Sequence, residues 1–489
     1  MNESNPARSR PIPGWVGACV AALGTLLLFP ANSYNDPDTF WHIENGRYML
    51  EHGVVLHHAI HTFQPGLPYV PHEVGFQLIE AALYNGFGWP GIYVLTAACF
   101  LLLVAGLYRL MTVSRKEAGL AGFPLSCLVL LALVGAWVYY HYFTSRPQMI
   151  SSVLIVWYVS WMRQYRMTGQ LRLALAMVLS SWLLANVHAG VWLVIAVVSG
   201  MQIVETLIRR DGTVRDAAVY AAVALAGLLN PGGYRSLFYI LVVTRHHYNR
   251  LIDEWNPIDF GNWENVPIAL MLLFFALTFL YSNKKNGFRW MLMIGTGYLG
   301  VTNYKQNLFL WLFVPYFAAA AMDTAPLLRF TAKLRFPLRL KGIVCGLAAG
   351  LLANALFVFV FPPSVDAKKY PVDEMAYLLA HTPQGVRPKV LARYGSSGYV
   401  MFRGGDVLCD GRQDPFITDA SKGAYGWNSF ERSMYGFSDR LPAIVQSDRP
   451  DYVIAQNDVS EKLMNQWIGA FGPPVYEGRY GRVFVIRRA

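Results

Sequence analysis

The chain has 489 residues, of which 54% are hydrophobic and only 15% charged. Soluble domains carry about 25% charged residues, so this deficit, together with long apolar runs, points to a chain solvated mainly by lipid. The formal net charge of +11 is gathered in short turns between those runs, which orients a membrane protein and argues against a nucleic-acid partner.

In chain order, a short tail with Arg8 and Arg10 precedes an apolar run over residues 14–30. It has no A-x-A site after it and reads as a retained signal anchor. Further apolar runs fall at 90–111, 122–140, 147–162, 172–187, 190–208, 216–230, 264–282, 288–302, 306–322 and 342–361. The sequence thus predicts a polytopic α-helical membrane protein with about eleven transmembrane helices. Alternating sides from a cytoplasmic N-terminus puts Arg109, Arg115, Lys116, Arg163, Arg166, Arg209 and Arg210, with other basic residues, in inner turns. Outer segments then hold only Arg47, Arg146, Arg235, Arg245, Arg250 and Lys305. That bias places the C-terminus outside. In the long first outer segment, apolar spacing predicts interfacial helices over 40–52 and 73–84. Beyond residue 362, strand-like runs at 389–393, 406–409, 451–455 and 482–487 alternate with helix-like stretches at 372–380 and 459–471. They predict a small C-terminal α/β soluble domain, 362–489, after a transmembrane domain, 1–361. The cysteines (Cys19, Cys99, Cys127, Cys345 and Cys409) show no CxxC spacing and read as small buried hydrophobes.

Polar motifs gather on the outer side. Asn35 to Gly46 follows the first span and holds Asp36, Asp38, Trp41, His42 and Glu44. Thr144-Ser145-Arg146-Pro147-Gln148 joins the third and fourth spans, and Asn186-Val187-His188-Ala189-Gly190 the fifth and sixth. Asn230 to Arg235, Asp253-Glu254-Trp255-Asn256-Pro257 and Asn303-Tyr304-Lys305-Gln306-Asn307 complete the set. Carboxylates (Asp36, Asp38, Glu254) beside cations (Arg146, Arg235, Lys305, with His188) suit transfer from a phosphate-linked substrate. A carboxylate deprotonates the attacking hydroxyl, and cations neutralise the departing phosphate. Each residue also has a plainer role: Asp36 and Asp38 suit a helix N-cap, and Arg146 suits snorkelling to headgroups. His42, His57, His58 and His61 read as solvated residues before they read as metal ligands. Tyr234 and Trp255 suit an interfacial belt equally well.

Asp36-Pro37-Asp38-Thr39-Phe40-Trp41-His42-Ile43 with Gly46, Ser145-Arg146-Pro147-Gln148, Asn186-x-His188-x-Gly190, Asn230-Pro231-x-Gly233 and Glu254-Trp255, in this order, resemble an uncharacterised bacterial branch of the GT-C superfamily of membrane glycosyltransferases. Protein mannosyltransferases and aminoarabinose transferases belong to that superfamily. The resemblance covers about 15–325, and Asp410-Gly411-Arg412 also fits it. It implies a glycosyltransferase of the inner (plasma) membrane that takes a polyprenyl-phosphate-linked sugar. Transfer to a lipid, glycan or protein acceptor at the outer face usually proceeds with inversion. By position, the acidic role falls on Asp36 or Asp38, with Asp36, closer to the span end, slightly favoured, and phosphate contacts on Arg146 and Lys305, with Trp41, His42, His188, Arg235 and Glu254 around the substrate. No cofactor is implied with certainty, and a divalent cation stays open. Lys305 stands where relatives often carry arginine, and Ala59-Ile60-His61-Thr62-Phe63 where relatives commonly have an aspartate near a Pro-Phe pair.

Two other function classes compete: a transporter or flippase for lipid-linked sugars, and a non-catalytic membrane scaffold. The first needs polar groups at mid-membrane and often an internal repeat. The spans look nearly free of charge at mid-depth, and the sequence shows no repeat.

Overall fold

A computed structural model describes residues 19, 36–244, 248, 252–282, 286–322 and 340–487. Apart from Cys19, the expected first span lies outside the described residues. The first helix, α1 (Pro37–His52), starts because Asp36 is extended and its side chain accepts from the Asp38 N–H, with Pro37 supplying a preset φ. It stops at Gly53, whose left-handed φ of 66° closes the last turn. Then come α2 (Val74–Phe87), α3 (Trp89–Glu117), α4 (Leu125–Tyr142), α5 (Pro147–Thr168), α6 (Leu171–Val187), α7 (Leu193–Arg209) and α8 (Val214–Leu228). Two short helices follow, α9 (Tyr234–Leu237) and α10 (Tyr239–Val243). After them lie α11 (Val266–Leu280), α12 (Gly287–Thr302), α13 (Leu308–Ala321) and α14 (Leu340–Val360).

Each apolar run read from the sequence between 90 and 361 is therefore a helix. Three helical stretches among the described residues are long and apolar enough to cross a membrane: Trp89–Glu117, Ala189–Arg209 and Trp263–Leu280. Ser126–Tyr142, Leu171–Val187 and Cys345–Val360 are shorter apolar helices. Helices α3 to α8 and α11 to α14 enclose one apolar core. Where α3 crosses α5, Gly106 lets the Trp157 ring approach to a distance that no larger residue allows, and the Trp157 indole N–H donates to the Leu102 carbonyl at 2.9 Å.

A charged network ties five of these helices together at the opposite end of α3 from α1. Arg163 of α5 lies 2.6 Å from Glu117 of α3 and 2.8 Å from Glu205 of α7. Arg289 of α12 lies 3.1 Å from Glu117, and the Tyr316 hydroxyl of α13 donates to Glu117 at 2.6 Å. Ser114 accepts from Arg289 at 2.8 Å.

After residue 362 come α15 (Val372–Ala380), β1 (Lys389–Leu391), α16 (Tyr394–Phe402), β2 (Asp406–Val407), α17 (Ser429–Tyr435) and α18 (Leu441–Asp448). They are followed by β3 (Tyr452–Gln456), α19 (Glu461–Phe471), β4 (Tyr476–Glu477) and β5 (Gly481–Val485). The sheet order is β2-β1-β3-β5-β4. β1 runs parallel to β2 and β3, while β5 is antiparallel to β3 and β4. The four expected strands are present, and the two-residue β4 was not expected.

One expectation is corrected. The helix read as interfacial over 40–52 is buried on several sides by protein. Phe40, Trp41, His42 and Ile43 are all buried. The Phe40 ring meets Tyr370 and Tyr399 edge-on at 4.8 and 5.0 Å, so residues after 362 share a core with α1. Burying one such ring stabilises by about 1.5–3 kcal/mol. On the other side α1 packs on α2, where a Cβ at Gly46 would lie 2.0 Å from the Gln77 carbonyl oxygen. The loop after α1 also joins the sheet: Val407 N–H donates to the His61 carbonyl and Phe63 N–H to the Val407 carbonyl, both at 3.0 Å.

Candidate active site

Arg146 is the hub of the site. The residue is extended, just ahead of Pro147 at the first position of α5, so its side chain leaves the helix end toward α1. Its Nε lies 2.6 Å from Asp36 Oδ2, Nη2 3.1 Å from Asp38 Oδ2, and Nη1 3.2 Å from Glu254 Oε2. Lys305 Nζ meets the other Glu254 oxygen at 2.8 Å and lies 5.5 Å from the Trp255 ring centroid. Thr144 donates to Asp36 Oδ2 at 3.0 Å. Thr39 donates to the Ser145 carbonyl at 3.0 Å, which fixes α1 against the start of α5. The turn that carries Lys305 is held to the turn that carries Glu254: Tyr304 N–H donates to the Asn256 carbonyl at 2.9 Å, and the Asn303 amide to the Trp255 carbonyl at 3.3 Å.

The two aspartates are not equivalent. Asp36 gives one oxygen to the α1 cap and the other to Thr144 and Arg146, and its side chain is 9% exposed. Asp38 is held by the Trp41 indole N–H at 2.9 Å and by Arg146, and its side chain is 22% exposed. Burial raises the Asp38 carboxyl above its usual range; Arg146 opposes this, and the Asp36 charge adds to it. Burial also acts to raise Glu254, but Lys305 and Arg146 outweigh it and bring its carboxyl down to about 2.

A second group, absent from the sequence reading, lies behind the first. Glu73, just before α2, faces three histidines: His42 Nδ1 at 3.7 Å, His72 Nε2 at 3.7 Å and His188 Nε2 at 3.8 Å. Burial, with the nearby Asp38 charge, pushes the Glu73 carboxyl up to about 8. Burial also holds the His42 imidazole well below its ordinary value, and brings His188 down to about 3. Ser151 Oγ lies 2.8 Å from His188 Nδ1, and the His42 ring stacks on Trp41 at 3.7 Å. Among the described residues, no group of three or more His, Cys, Asp or Glu side chains is arranged to hold a metal ion.

The segment after β2 closes the site. Arg412 donates to Asp410 in the expected turn, to the Ile60 carbonyl at 2.9 Å, and to Asn45 Oδ1 at 3.4 Å. This tethers the turn to α1 and the first loop. Gly411 lies so near Asp38 that a Cβ there would fall 2.1 Å from Asp38 Oδ1 and 2.3 Å from Trp41 Nε1. Only glycine fits this approach. Asp414 accepts from the Val70 N–H at 3.5 Å, and burial raises its carboxyl to about 7.

Of the residues picked out by sequence, the structure brings Asp36, Asp38, Arg146, Glu254 and Lys305 into one cluster. Trp41 orients Asp38. His42 and His188 belong to the Glu73 group. Arg235 is exposed on α9 and makes none of the cluster's ion pairs among the described residues. Glu73 and Gly411 were missed as site residues. The signal for Glu73 was its place beside His72, at the entry of a helix already expected from the sequence.

No family model matches the chain, and no curated protein does. Among solved structures it is similar to ArnT from Cupriavidus metallidurans in the apo state, with a TM-score of 0.55 and 13% identity over 96% of this chain and 97% of that one. The same enzyme bound to undecaprenyl phosphate gives a TM-score of 0.53 and 13% identity over 96% and 98%. At this identity the likeness is one of fold. The chain has the fold of ArnT, and the resemblance to aminoarabinose transferases read from its ordered polar motifs agrees with it at the level of fold.

Proposed function

We propose that this protein is a membrane glycosyltransferase that moves a sugar from a polyprenyl-phosphate-linked donor to an acceptor at the outer face of the membrane. The observation that carries this reading is the Arg146 cluster: three carboxylates and two cations on the ArnT fold. The undecaprenyl phosphate bound by ArnT from C. metallidurans supports a lipid phosphate as the donor's leaving group. In this reading the chain crosses the membrane about eleven times, with its N-terminus in the cytoplasm and residues 362–489 outside.

Asp38 is the better placed of the two aspartates to act as general base. It is the more exposed, and burial raises its carboxyl, which makes it the stronger base for the acceptor proton. It takes the proton of the acceptor hydroxyl as that oxygen attacks the anomeric carbon. The bond from that carbon to the phosphate oxygen breaks, and polyprenyl phosphate leaves with its charge met by Arg146 and Lys305. Asp36 holds Arg146 in place.

The test is release of polyprenyl phosphate from a panel of polyprenyl-phosphate sugars by purified protein, beside Asp38→Asn and Arg146→Gln variants. Release by the wild type alone supports the reading. Wild-type protein that neither binds nor cleaves any donor refutes it.

A further inference from the structure

In the structure each nitrogen of the Arg146 guanidinium lies beside a carboxylate. Nε faces Asp36, Nη2 faces Asp38, and Nη1 faces Glu254. Lys305 is engaged as well, by the other oxygen of that same Glu254. The two cations assigned to the donor phosphate are therefore bridged by one carboxylate, in the way a phosphodiester bridges two cations through its two free oxygens.

Glu254 is also the carboxylate freest to leave. Its side chain is 34% exposed, against 9% for Asp36 and 22% for Asp38. Asp36 is tied down by the α1 cap and by Thr144, and Asp38 by Trp41. Among the described residues, the ion pairs of Glu254 are those to Arg146 and Lys305. Charge leads to the same residue. Three acids and two bases leave the cluster with one negative charge in excess, and an added phosphodiester would double that excess in a half-buried site. Exchange of one carboxylate for the phosphate leaves the charge unchanged.

We propose that Glu254 occupies the donor-phosphate site when no donor is bound, and that the donor enters by displacing its carboxylate from Arg146 and Lys305. The proposal rests on the transferase reading and adds to it an anion exchange. Glu254 stays ionised across the physiological range, since its carboxyl is held at about 2, so the exchange is driven by the incoming anion rather than by a proton. The residue then sets donor affinity by competition, and its removal makes binding tighter.

The experiment measures binding of undecaprenyl phosphate, undecaprenol and inorganic phosphate to wild-type protein and to Glu254→Gln and Lys305→Met variants. Glu254→Gln keeps the shape of the side chain and removes its charge. It is expected to bind undecaprenyl phosphate at least about tenfold more tightly, a change of ~1.4 kcal/mol, and undecaprenol as the wild type does. Lys305→Met is expected to bind the lipid phosphate more weakly. A matching gain for inorganic phosphate assigns the exchange to the phosphate group alone; a gain confined to the lipid shows that the chain must be anchored for it to occur. Should Glu254→Gln fail to fold, Glu254→Asp takes its place: one methylene shorter, it cannot span both cations, and tighter binding is again expected. Equal or weaker lipid-phosphate binding by these variants, with the wild type binding and turning over donor, overturns the proposal alone. A wild type that neither binds lipid phosphate nor turns over any donor overturns the transferase reading and this proposal with it.

Discussion

The Glu117 network and the Arg146 cluster lie toward opposite ends of α3, and they differ in how open they are to solvent. In the network of Glu117, Arg163, Glu205 and Arg289 each side chain is at most 5% exposed, and Glu205 also meets the exposed Arg209 at 3.5 Å. Tyr316, Ser114 and Gln202 take up further hydrogen-bonding capacity. The cluster of Asp36, Asp38, Glu254, Arg146 and Lys305 has one acid too many, and its members reach 34% exposure. A network shut off from solvent meets its cost of desolvation once, on folding. An unbalanced, half-open one exchanges partners. The difference separates a group of charges that joins helices from one that can handle a charged substrate.

Four measurements break or sharpen this contrast. The largest effect is expected from Asp38→Asn, which should cut transfer by about 10²–10⁴-fold, or ~2.7–5.5 kcal/mol of barrier, and leave the unfolding midpoint near that of the wild type. A large fall in midpoint would make the outer cluster as structural as the inner one. Next comes Arg163→Leu, which takes the shared cation from Glu117 and Glu205 and leaves them Arg289 and Arg209; thermal unfolding in detergent should show a loss of roughly 3–5 kcal/mol. A near-neutral result would remove the network's claim to hold five helices together.

Glu73 is buried like the inner network yet has no cation partner among the ion pairs of the described residues, so it probes the middle ground. With its carboxyl raised from 4.5 to about 8, the folded form keeps a proton that the unfolded chain loses over this interval. Stability should therefore fall as pH rises from about 4.5 to about 8, and stay low above that. In Glu73→Gln the difference in stability between pH 5 and pH 9 should shrink by roughly 2–4 kcal/mol, followed by unfolding midpoints across pH. An unchanged pH profile would show that Glu73 is ionised in the fold. The smallest effect is expected for Arg235→Gln, within about ±0.5 kcal/mol in both turnover and stability, as for other exposed surface changes. A loss of donor binding there would extend the cluster to α9.

The sequence made the outer cluster visible because each member lies in a short polar motif between apolar runs, where an acid or base stands out against its surroundings. Helices showed for the same reason: ten apolar runs became ten helices. What stayed hidden depends on contacts distant in sequence. Phe40 and Trp41 recur at a spacing that suits a membrane surface as well as a protein one, and only Tyr370 and Tyr399 decide between the two. Glu73 reads as a helix-start acid until His42 and His188 arrive from two other segments. Gly411 reads as a turn glycine; that it must be glycine follows from Asp38, which lies 373 positions earlier in the chain.

The shared core of α1 and the sheet also sets an order of events in biogenesis. Phe40 waits for Tyr370 and Tyr399, and the Asp38–Trp41 pair waits for Gly411, so the packing around the start of α1 is completed only after most of the chain has left the ribosome. A nascent or truncated chain that ends near residue 361 carries every member of the charged cluster without the surface that seats α1. The Arg146 cluster thus acquires its full surroundings only when the last quarter of the chain folds back onto its beginning.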